Sequence, residues 1–190
     1  MASDNKEIEI KIKIDKSTYE HLFNKLFDIA EYLGKTQQKD DYYSPVKKSY
    51  ISERYPFKWL SIRTRGKDHV LNYKHFYPEG AERHSHCDEF ETKISSPKMI
   101  AKIFSELEIE HLVCVNKIRH KFIYQDRFEI VLDSVDELGY FIEIESIMQE
   151  PDVETVRKEI MSVVSMLGLK TSDIDYRGYP YDLMKEKGLL

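Results

Sequence analysis

The chain opens with a strict alternation of charged residues and isoleucine over Glu7–Ile14. Because successive side chains of a β-strand point to opposite faces, Glu7, Glu9, Lys11 and Lys13 share one face and the isoleucines share the other. Two carboxylates beside an amine can hold a divalent cation next to a phosphate. On this strand alone, however, the solvated side of an ordinary amphipathic strand is the commoner explanation.

The same period of two returns in later segments, where acidic and basic residues are separated strand by strand. Arg63 and Arg65 share a face, as do Lys117 and Arg119, and Glu-x-Glu occurs at 7–9, 89–91 and 143–145. Like charges two residues apart repel each other where the effective dielectric is about 20, and a bound metal ion or anion would reduce this repulsion. Two explanations stay open: the solvated face of an antiparallel sheet, or a barrel whose charged interior binds a metal–polyphosphate complex.

Strand-like segments at about 37–43, 59–65, 69–75, 86–94, 112–124, 127–133 and 139–147 outnumber the segments with helical spacing. Helices are predicted from a Ser17 cap to a stop at Gly34, from Ser96-Pro97 onwards, and from about Asp152 to Leu167 before Gly168. Residues 136–139 are predicted to form a hairpin turn and 44–56 a long loop. Short connections between strands predict an antiparallel α+β fold, and since no linker or repeat divides the chain we expect one domain over residues 1–190.

Composition limits the classes of partner. With 190 residues, 41% hydrophobic and 33% charged, the chain has the composition of a globular protein, and its net charge of −5 argues against nucleic-acid binding. Cys87 and Cys114 suggest no disulfide framework, and His84-x-His86 lacks a second half with zinc spacing, so a solvated loop is the better explanation there. Without an apolar run of membrane-spanning length or a signal-peptide pattern, we expect a cytoplasmic protein with no membrane partner.

Six motifs follow one another along the chain. Glu7-x-Glu9-x-Lys11 is similar to an N-terminal ExExK motif, and Val131–Glu145 is similar to an LDxVxxLGxFxEIE hairpin. Between them, and in the order of the pattern, lie segments similar to an LRxR strand, a T/N-Y-K strand, a second ExE and a KxR strand, namely Ile62–Gly66, Asn72–Lys74, Glu89–Glu91 and Lys117–Arg119. This ordered set resembles the CYTH family, the triphosphate tunnel metalloenzymes. A lone ExExK is weak evidence, but the set covers nearly the whole chain, and it looks nearest to the class IV adenylyl cyclase-like branch.

The resemblance implies a closed eight-stranded antiparallel β-barrel, a tunnel with a charged interior, flanked by helices. It also implies that the tunnel binds a triphosphate together with Mg²⁺ or Mn²⁺. The implied metal ligands are Glu7, Glu9, Asp133, Glu143 and Glu145, with Glu89 and Glu91 as further candidates beside them. The implied phosphate-binding residues are Lys11, Arg63, Arg65, Lys74, Lys117 and Arg119. Of these, the candidate catalytic residues are Lys11, Arg63, Lys74 and Arg119.

Two reactions fit such a tunnel. The resemblance to the class IV branch implies an adenylyl cyclase that converts ATP to cyclic AMP and pyrophosphate, with a homodimer as the expected assembly. The alternative is a triphosphatase acting on thiamine triphosphate, inorganic triphosphate or a nucleoside triphosphate. A third hypothesis is a non-catalytic polyphosphate- or nucleotide-binding module. The C-terminal segment departs from the SYxELL-like ending of the branch, because Tyr179 and Tyr181 are displaced and the serine is missing, which leaves cyclase and hydrolase open.

Overall fold

The computed structural model describes residues 6–148 and 152–190. Its strands are β1 (Lys6–Glu7), β2 (Glu9–Ile14), β3 (Glu31–Pro45), β4 (Lys58–Arg65), β5 (Asp68–Tyr77), β6 (His86–Lys93), β7 (Ile109–Tyr124), β8 (Phe128–Val135), β9 (Gly139–Ser146) and β10 (Ile174–Asp175). Its helices are α1 (Lys16–Ile29), α2 (Pro97–Glu106), α3 (Val153–Met166) and α4 (Tyr179–Glu186). Within these described ranges, every helix is too short or too polar to cross a membrane.

Contacts divide the described chain into two compact units, each assembled from segments that are separate in sequence. The first unit comprises residues 37–116 and 177–190, and the second comprises the described parts of 6–36 and 117–176. Strands β3 and β7 contribute to both units, because a boundary falls inside each of them. The single domain expected from the sequence stays a prediction.

In the second unit the sheet has the strand order β3-β7-β8-β9-β2-β10, and the pairs from β7 to β10 are antiparallel. Ile10 of β2 lies opposite Ile144 of β9, and Ile144 lies opposite Ile130 of β8. These isoleucines share a core with Leu22 of α1 and Ile160 of α3. The alternation in the sequence therefore buries the isoleucines beneath the helices and places the charged residues on the opposite face of the sheet.

In the first unit the order is β6-β5-β4-β3-β7, with antiparallel pairing from β6 to β3. Here the apolar face packs on α2, where the buried side chains of Tyr43, Ile62 and Phe104 meet. Arg63 and Arg65 alternate with Ile62 along β4 and so lie on the other face. Each unit thus has one apolar, helix-covered face and one charged face.

The closed eight-stranded barrel implied by the resemblance is not what the structure shows. Within each unit the strand order has two ends, and the described residues contain ten strands, two of them only two residues long. The second edge of β2 illustrates the reason: it pairs with the two-residue strand β10 rather than with another long strand. The antiparallel α+β class is confirmed, and the closed barrel is wrong.

Helix α1 differs from its predicted bounds at both ends. Asp15, not Ser17, is the N-cap, and its carboxylate accepts a hydrogen bond of 2.7 Å from the backbone N–H of Thr18. The helix ends at Ile29, and Gly34, the predicted stop, lies inside β3 with a φ of 118°. The helical spacing in the sequence therefore runs past the true end of the helix.

Most of the other predicted elements agree with the structure to within about three residues, but β3 begins six residues before its predicted start, and β10 and α4 had no predicted counterpart. Ser96 caps α2 through the backbone N–H of Met99, and Asp152 caps α3, which ends just before Gly168 at a φ of 79°. Strand β3 continues to Pro45, so the loop begins two residues later than predicted, whereas the turn between β8 and β9 falls where it was expected.

Candidate functional site

Three glutamates lie side by side across the charged face of the second unit. Glu9 of β2 is opposite Glu145 of β9, and Glu145 is opposite Glu129 of β8. Side chains directly opposite each other in antiparallel strands have Cβ atoms about 5 Å apart, so these carboxylates repel one another unless positive charge lies among them. Lys121 brings one such charge, with its Nζ 2.6 Å from Oε2 of Glu129.

Asp133 forms the centre of a buried ion-pair network on the same face. Its side chain is fully buried, and it accepts two hydrogen bonds from Arg119, at 2.8 Å from Nε and 2.5 Å from Nη2. Nζ of Lys117 lies 3.2 Å away, and Arg119 also donates to Glu143. The bidentate geometry fixes the guanidinium plane. Asp133 was expected to bind metal, but in this structure its carboxylate is held by two bases.

The side chain of Lys11 is buried and held in place near the edge of this face. Its side chain is only 7% exposed, and Nζ lies 2.7 Å from Oδ2 of Asp175 and 5.4 Å from the ring centroid of Phe141. Glu143 lies opposite Lys11 on the neighbouring strand β9 and interacts with Arg119. A lysine buried to this extent requires a carboxylate partner, and a two-residue strand brings it.

Glu7 is the last residue of β1, and one residue separates it from β2; its side chain is half-buried. The backbone N–H of Ser146 donates to the carbonyl of Ile8 at 3.3 Å, which ties the start of β2 to the end of β9. Glu7 and Glu9 therefore flank a tethered residue next to the end of the strand that carries Glu145.

In the first unit, Arg63 lies between two glutamates of β6. Its Nη1 is 2.9 Å from Glu89 and 2.7 Å from Glu91. Asn72 of β5 donates to both carboxylates, at 2.6 Å and 3.1 Å, and Lys74 approaches Glu89 at 3.6 Å. Among the described atoms, the buried Nε–H of Arg63 has no acceptor. The cluster therefore contains a buried donor that no described protein group satisfies.

Arg65 makes a separate pair on the same face, donating to Asp40 of β3 at 2.6 Å. Asp40 is buried, and so is Tyr42 two residues later. Burial, reinforced by the charge of Asp40, raises the pKa of Tyr42 well above its ordinary value. Burial opposes the charge of Arg63, but Glu89 and Asp40 outweigh it and raise the pKa of that guanidinium. Arg63 therefore stays cationic and Tyr42 protonated at any physiological pH.

The structure thus gathers Glu7, Glu9, Lys11, Lys117, Arg119, Asp133, Glu143 and Glu145 in the second unit. It gathers Arg63, Arg65, Lys74, Glu89 and Glu91 in the first. Fully or largely buried members such as Asp133, Lys117 and Lys11 do not fit an ordinary solvated sheet face.

The glutamate row, formed by Glu9, Glu145 and Glu129, has some of the chemistry of a metal site. Over residues 6–148 and 152–190, no three His, Cys, Asp or Glu side chains are already gathered around one point. Neighbouring carboxylates nevertheless suit a hard divalent cation, which takes oxygen ligands and relieves their repulsion. Glu9 and Glu145 fit this description better than Asp133, whose oxygens are bound by Arg119 and Lys117.

Several interacting residues were outside the predicted site. Asp175 lies in a strand too short to give a pattern, and Glu129 shares its strand with the predicted Asp133. Asn72 lies in a motif and Asp40 in a predicted strand, but their partners follow from cross-strand register. A register of this kind can be inferred only once the order of the strands is known.

The His84-x-His86 segment and the C-terminal tyrosines both contain side chains with partners in the fold. The ring of His86 stacks on Tyr77 with centroids 5.3 Å apart. Tyr179 at the start of α4 is buried, and the hydroxyl of Tyr181 accepts a hydrogen bond of 2.6 Å from Arg177. Both displaced tyrosines are thus engaged within the first unit.

Comparison with known proteins places the chain by sequence and by fold. The PH1819 protein of Pyrococcus horikoshii is 24% identical, with a TM-score of 0.79 over 95% of this chain and 99% of its own. A candidate adenylate cyclase of Vibrio parahaemolyticus is 20% identical, with a TM-score of 0.74 over 93% and 97%. A candidate adenylyl cyclase of Hippeastrum, described as having a dominant triphosphatase activity, is 18% identical, with a TM-score of 0.64 over 96% and 95%. A search of curated proteins gave no match.

These likenesses below 25% identity show a shared fold. The sequence itself matches the model of the CYTH domain over residues 5–179, nearly the whole chain. This match includes both charged faces and the strands that carry them. The chain belongs to the CYTH family.

Proposed function

We propose that this chain is a divalent-metal-dependent enzyme that acts on a small-molecule triphosphate. Membership of the CYTH family supports an enzymatic role, since the family comprises adenylyl cyclase-like enzymes and triphosphatases. Its enzymes generally depend on a divalent metal ion. ATP is the first candidate substrate and Mg²⁺ or Mn²⁺ the candidate ion.

The observation that carries the proposal is the buried, unsatisfied Nε–H of Arg63. A buried donor without an acceptor is costly, and a cationic one more so. A phosphate oxygen is the acceptor that the cluster lacks, and a guanidinium binds phosphate in bidentate geometry. Lys74, on the neighbouring strand, can share the same anion as a point charge.

Glu9 and Glu145 are the residues that would hold the metal ion, with Glu7 beside them. A bound divalent ion would neutralise phosphate charge and polarise a phosphoryl oxygen. Arg119 keeps its orientation through Asp133, and Lys11 through Asp175. Catalysis by groups of these kinds consists mainly of positioning phosphates and stabilising their charge.

Cyclisation is the first candidate reaction. The ribose 3′-hydroxyl of ATP would attack the α-phosphorus and pyrophosphate would leave. Hydrolysis is the second candidate, and one observation favours it: Tyr179, one of the two displaced tyrosines of the C-terminal segment, is only 5% exposed, so little of its ring is available to contact a purine. A triphosphatase needs the phosphate-binding groups but no purine contact.

The deciding experiment is the product profile with ATP, GTP, thiamine triphosphate and inorganic triphosphate, each with Mg²⁺ or Mn²⁺. Cyclic AMP with pyrophosphate supports the cyclase. Orthophosphate without cyclic AMP rejects the cyclase and supports the hydrolase. Metal-dependent binding without any product would identify a binding module and reject both enzymes. Size-exclusion chromatography with light scattering would test the proposed homodimer.

Replacing Glu9 or Glu145 by Gln should abolish turnover while leaving the fold intact, because each change removes one negative charge from the glutamate row and keeps its shape. The matched control is Glu106→Gln, at an exposed position at the end of α2. Steady-state kinetics and circular dichroism on the three variants would show the effect. Full activity in Glu9→Gln and Glu145→Gln would reject their assignment as metal ligands.

A further inference from the structure

Strand β10 touches the charged face of the second unit at one point. It pairs with the edge of β2 through two residues, Ile174 with Ile12 and Asp175 with Lys11. Ile174 packs against the apolar core, which directs the next side chain to the charged face. The short strand therefore delivers a single carboxylate to the phosphate-binding candidate Lys11.

The ion pair between the two residues is close and largely shielded from water. Nζ of Lys11 and Oδ2 of Asp175 are 2.7 Å apart, with side-chain exposures of 7% and 22%. Lysine has a long, flexible stem, so fixing the direction of its ammonium in advance reduces the entropy lost when it binds an anion. Phe141 supports the ammonium from the ring side, at 5.4 Å.

The neighbouring Glu143 lies opposite Lys11 on β9 and interacts with Arg119, which also binds Asp133. Asp175 contacts the ammonium from the other side of β2, at 2.7 Å, so this ion pair helps to set the direction of the Lys11 ammonium.

We propose that Asp175 is a positioning residue that aims the Lys11 ammonium at a phosphate group of the triphosphate. An ammonium carries three N–H donors, so a carboxylate that accepts one of them need not be displaced when a phosphate binds. This inference rests on the proposed function, since it takes a triphosphate to be the ligand. An aspartate that competed with the phosphate would have the opposite effect on affinity, which makes the two roles separable.

The test compares Asp175→Asn with the wild type in steady-state kinetics on the triphosphate that gives turnover. We expect KM to rise about ten-fold, equivalent to 1.4 kcal/mol, while kcat changes less than about two-fold. Asp175→Glu should restore most of the affinity because it keeps the charge. The matched control is Asp173→Asn, at an exposed position two residues earlier, which should leave both constants unchanged.

A second measurement avoids turnover. In EDTA, inorganic triphosphate should raise the melting temperature of the wild type more than that of Asp175→Asn. In a Lys11→Gln background the Asp175→Asn change should have no further effect on KM or on this shift, because the proposed role acts only through Lys11.

Each of several results would overturn the inference. An unchanged or lowered KM in Asp175→Asn, an equal loss in Asp173→Asn, or an undiminished effect in the Lys11→Gln background would do so. These outcomes leave the proposed function standing as long as the wild type binds and turns over a triphosphate. A wild type that neither binds nor turns over any of the four triphosphates would overturn both.

Discussion

The buried network around Asp133 makes a quantitative prediction about stability. Replacing Asp133 by Asn keeps the shape of the side chain but removes its charge. In the wild type this fully buried carboxylate accepts 2.8 and 2.5 Å hydrogen bonds from Arg119 and lies 3.2 Å from Lys117. Removing one partner of a buried ion pair costs about 3–5 kcal/mol, because an uncompensated charge stays behind.

The geometry places the expected loss at the lower end of that range. Arg119 keeps Glu143 as a partner, so only part of the positive charge around Asp133 loses its compensation. We expect the free energy of unfolding to fall by about 3 kcal/mol. For a chain of this length, that corresponds to a fall in Tm of about 6–12 °C.

Urea denaturation followed by circular dichroism at pH 7 would measure this loss. EDTA in the buffer ensures that loss of a bound ion makes no contribution. The matched control is Asp136→Asn, at an exposed position in the β8–β9 turn, which should change the free energy by less than about 0.5 kcal/mol. A loss below about 1 kcal/mol for Asp133→Asn would show that the network contributes little net stability.

Two further predictions concern the apolar side of the second unit. Phe122 is fully buried against Tyr32, so Phe122→Ala should lower the free energy of unfolding by about 4 kcal/mol. The control Phe27→Ala, at a side chain that is 56% exposed, should change it little. Equal losses for the two variants in urea denaturation would contradict the packing. Burial, assisted by the charge of Lys35, lowers the pKa of His120, whose Nδ1 lies 2.8 Å from the hydroxyl of Tyr32. The unfolded chain therefore binds the proton more readily, so the free energy of unfolding should decrease as pH falls below about 6.5. His120→Gln should reduce this dependence of stability on pH. An unchanged dependence would show that His120 is not its source.

The period of two in the sequence predicted which side chains share a face. Ile10 and Ile12 are buried in the core, and Glu9 and Lys11 lie on the opposite face, because strand geometry leaves no other arrangement. The predicted helix starts at Ser96-Pro97 and near Asp152 were equally local signals and were confirmed, with Ser96 and Asp152 as the N-caps. Helix α1 shows the limit: Leu33 fits a helical spacing, yet it lies in β3.

The sequence could not predict the interactions within the charged faces. That Asp175 meets Lys11, or that Arg119 and Lys117 bind the carboxylate of Asp133, follows from register between strands. No local pattern encodes such a register, and the closed barrel failed for the same reason, since strand pairing at the edge of β2 is a long-range property.

The turn between β8 and β9 has a consequence for the order of folding. These two strands are adjacent in sequence, so pairing them requires only a short loop to close, and we expect the hairpin to form early. Glu129 and Glu145 are then already opposite each other, before β2 arrives from the far end of the chain with Glu9. The docking of β2 adds a third negative charge to an existing pair. Divalent cations or added salt should therefore accelerate this late step of refolding more than the earlier ones.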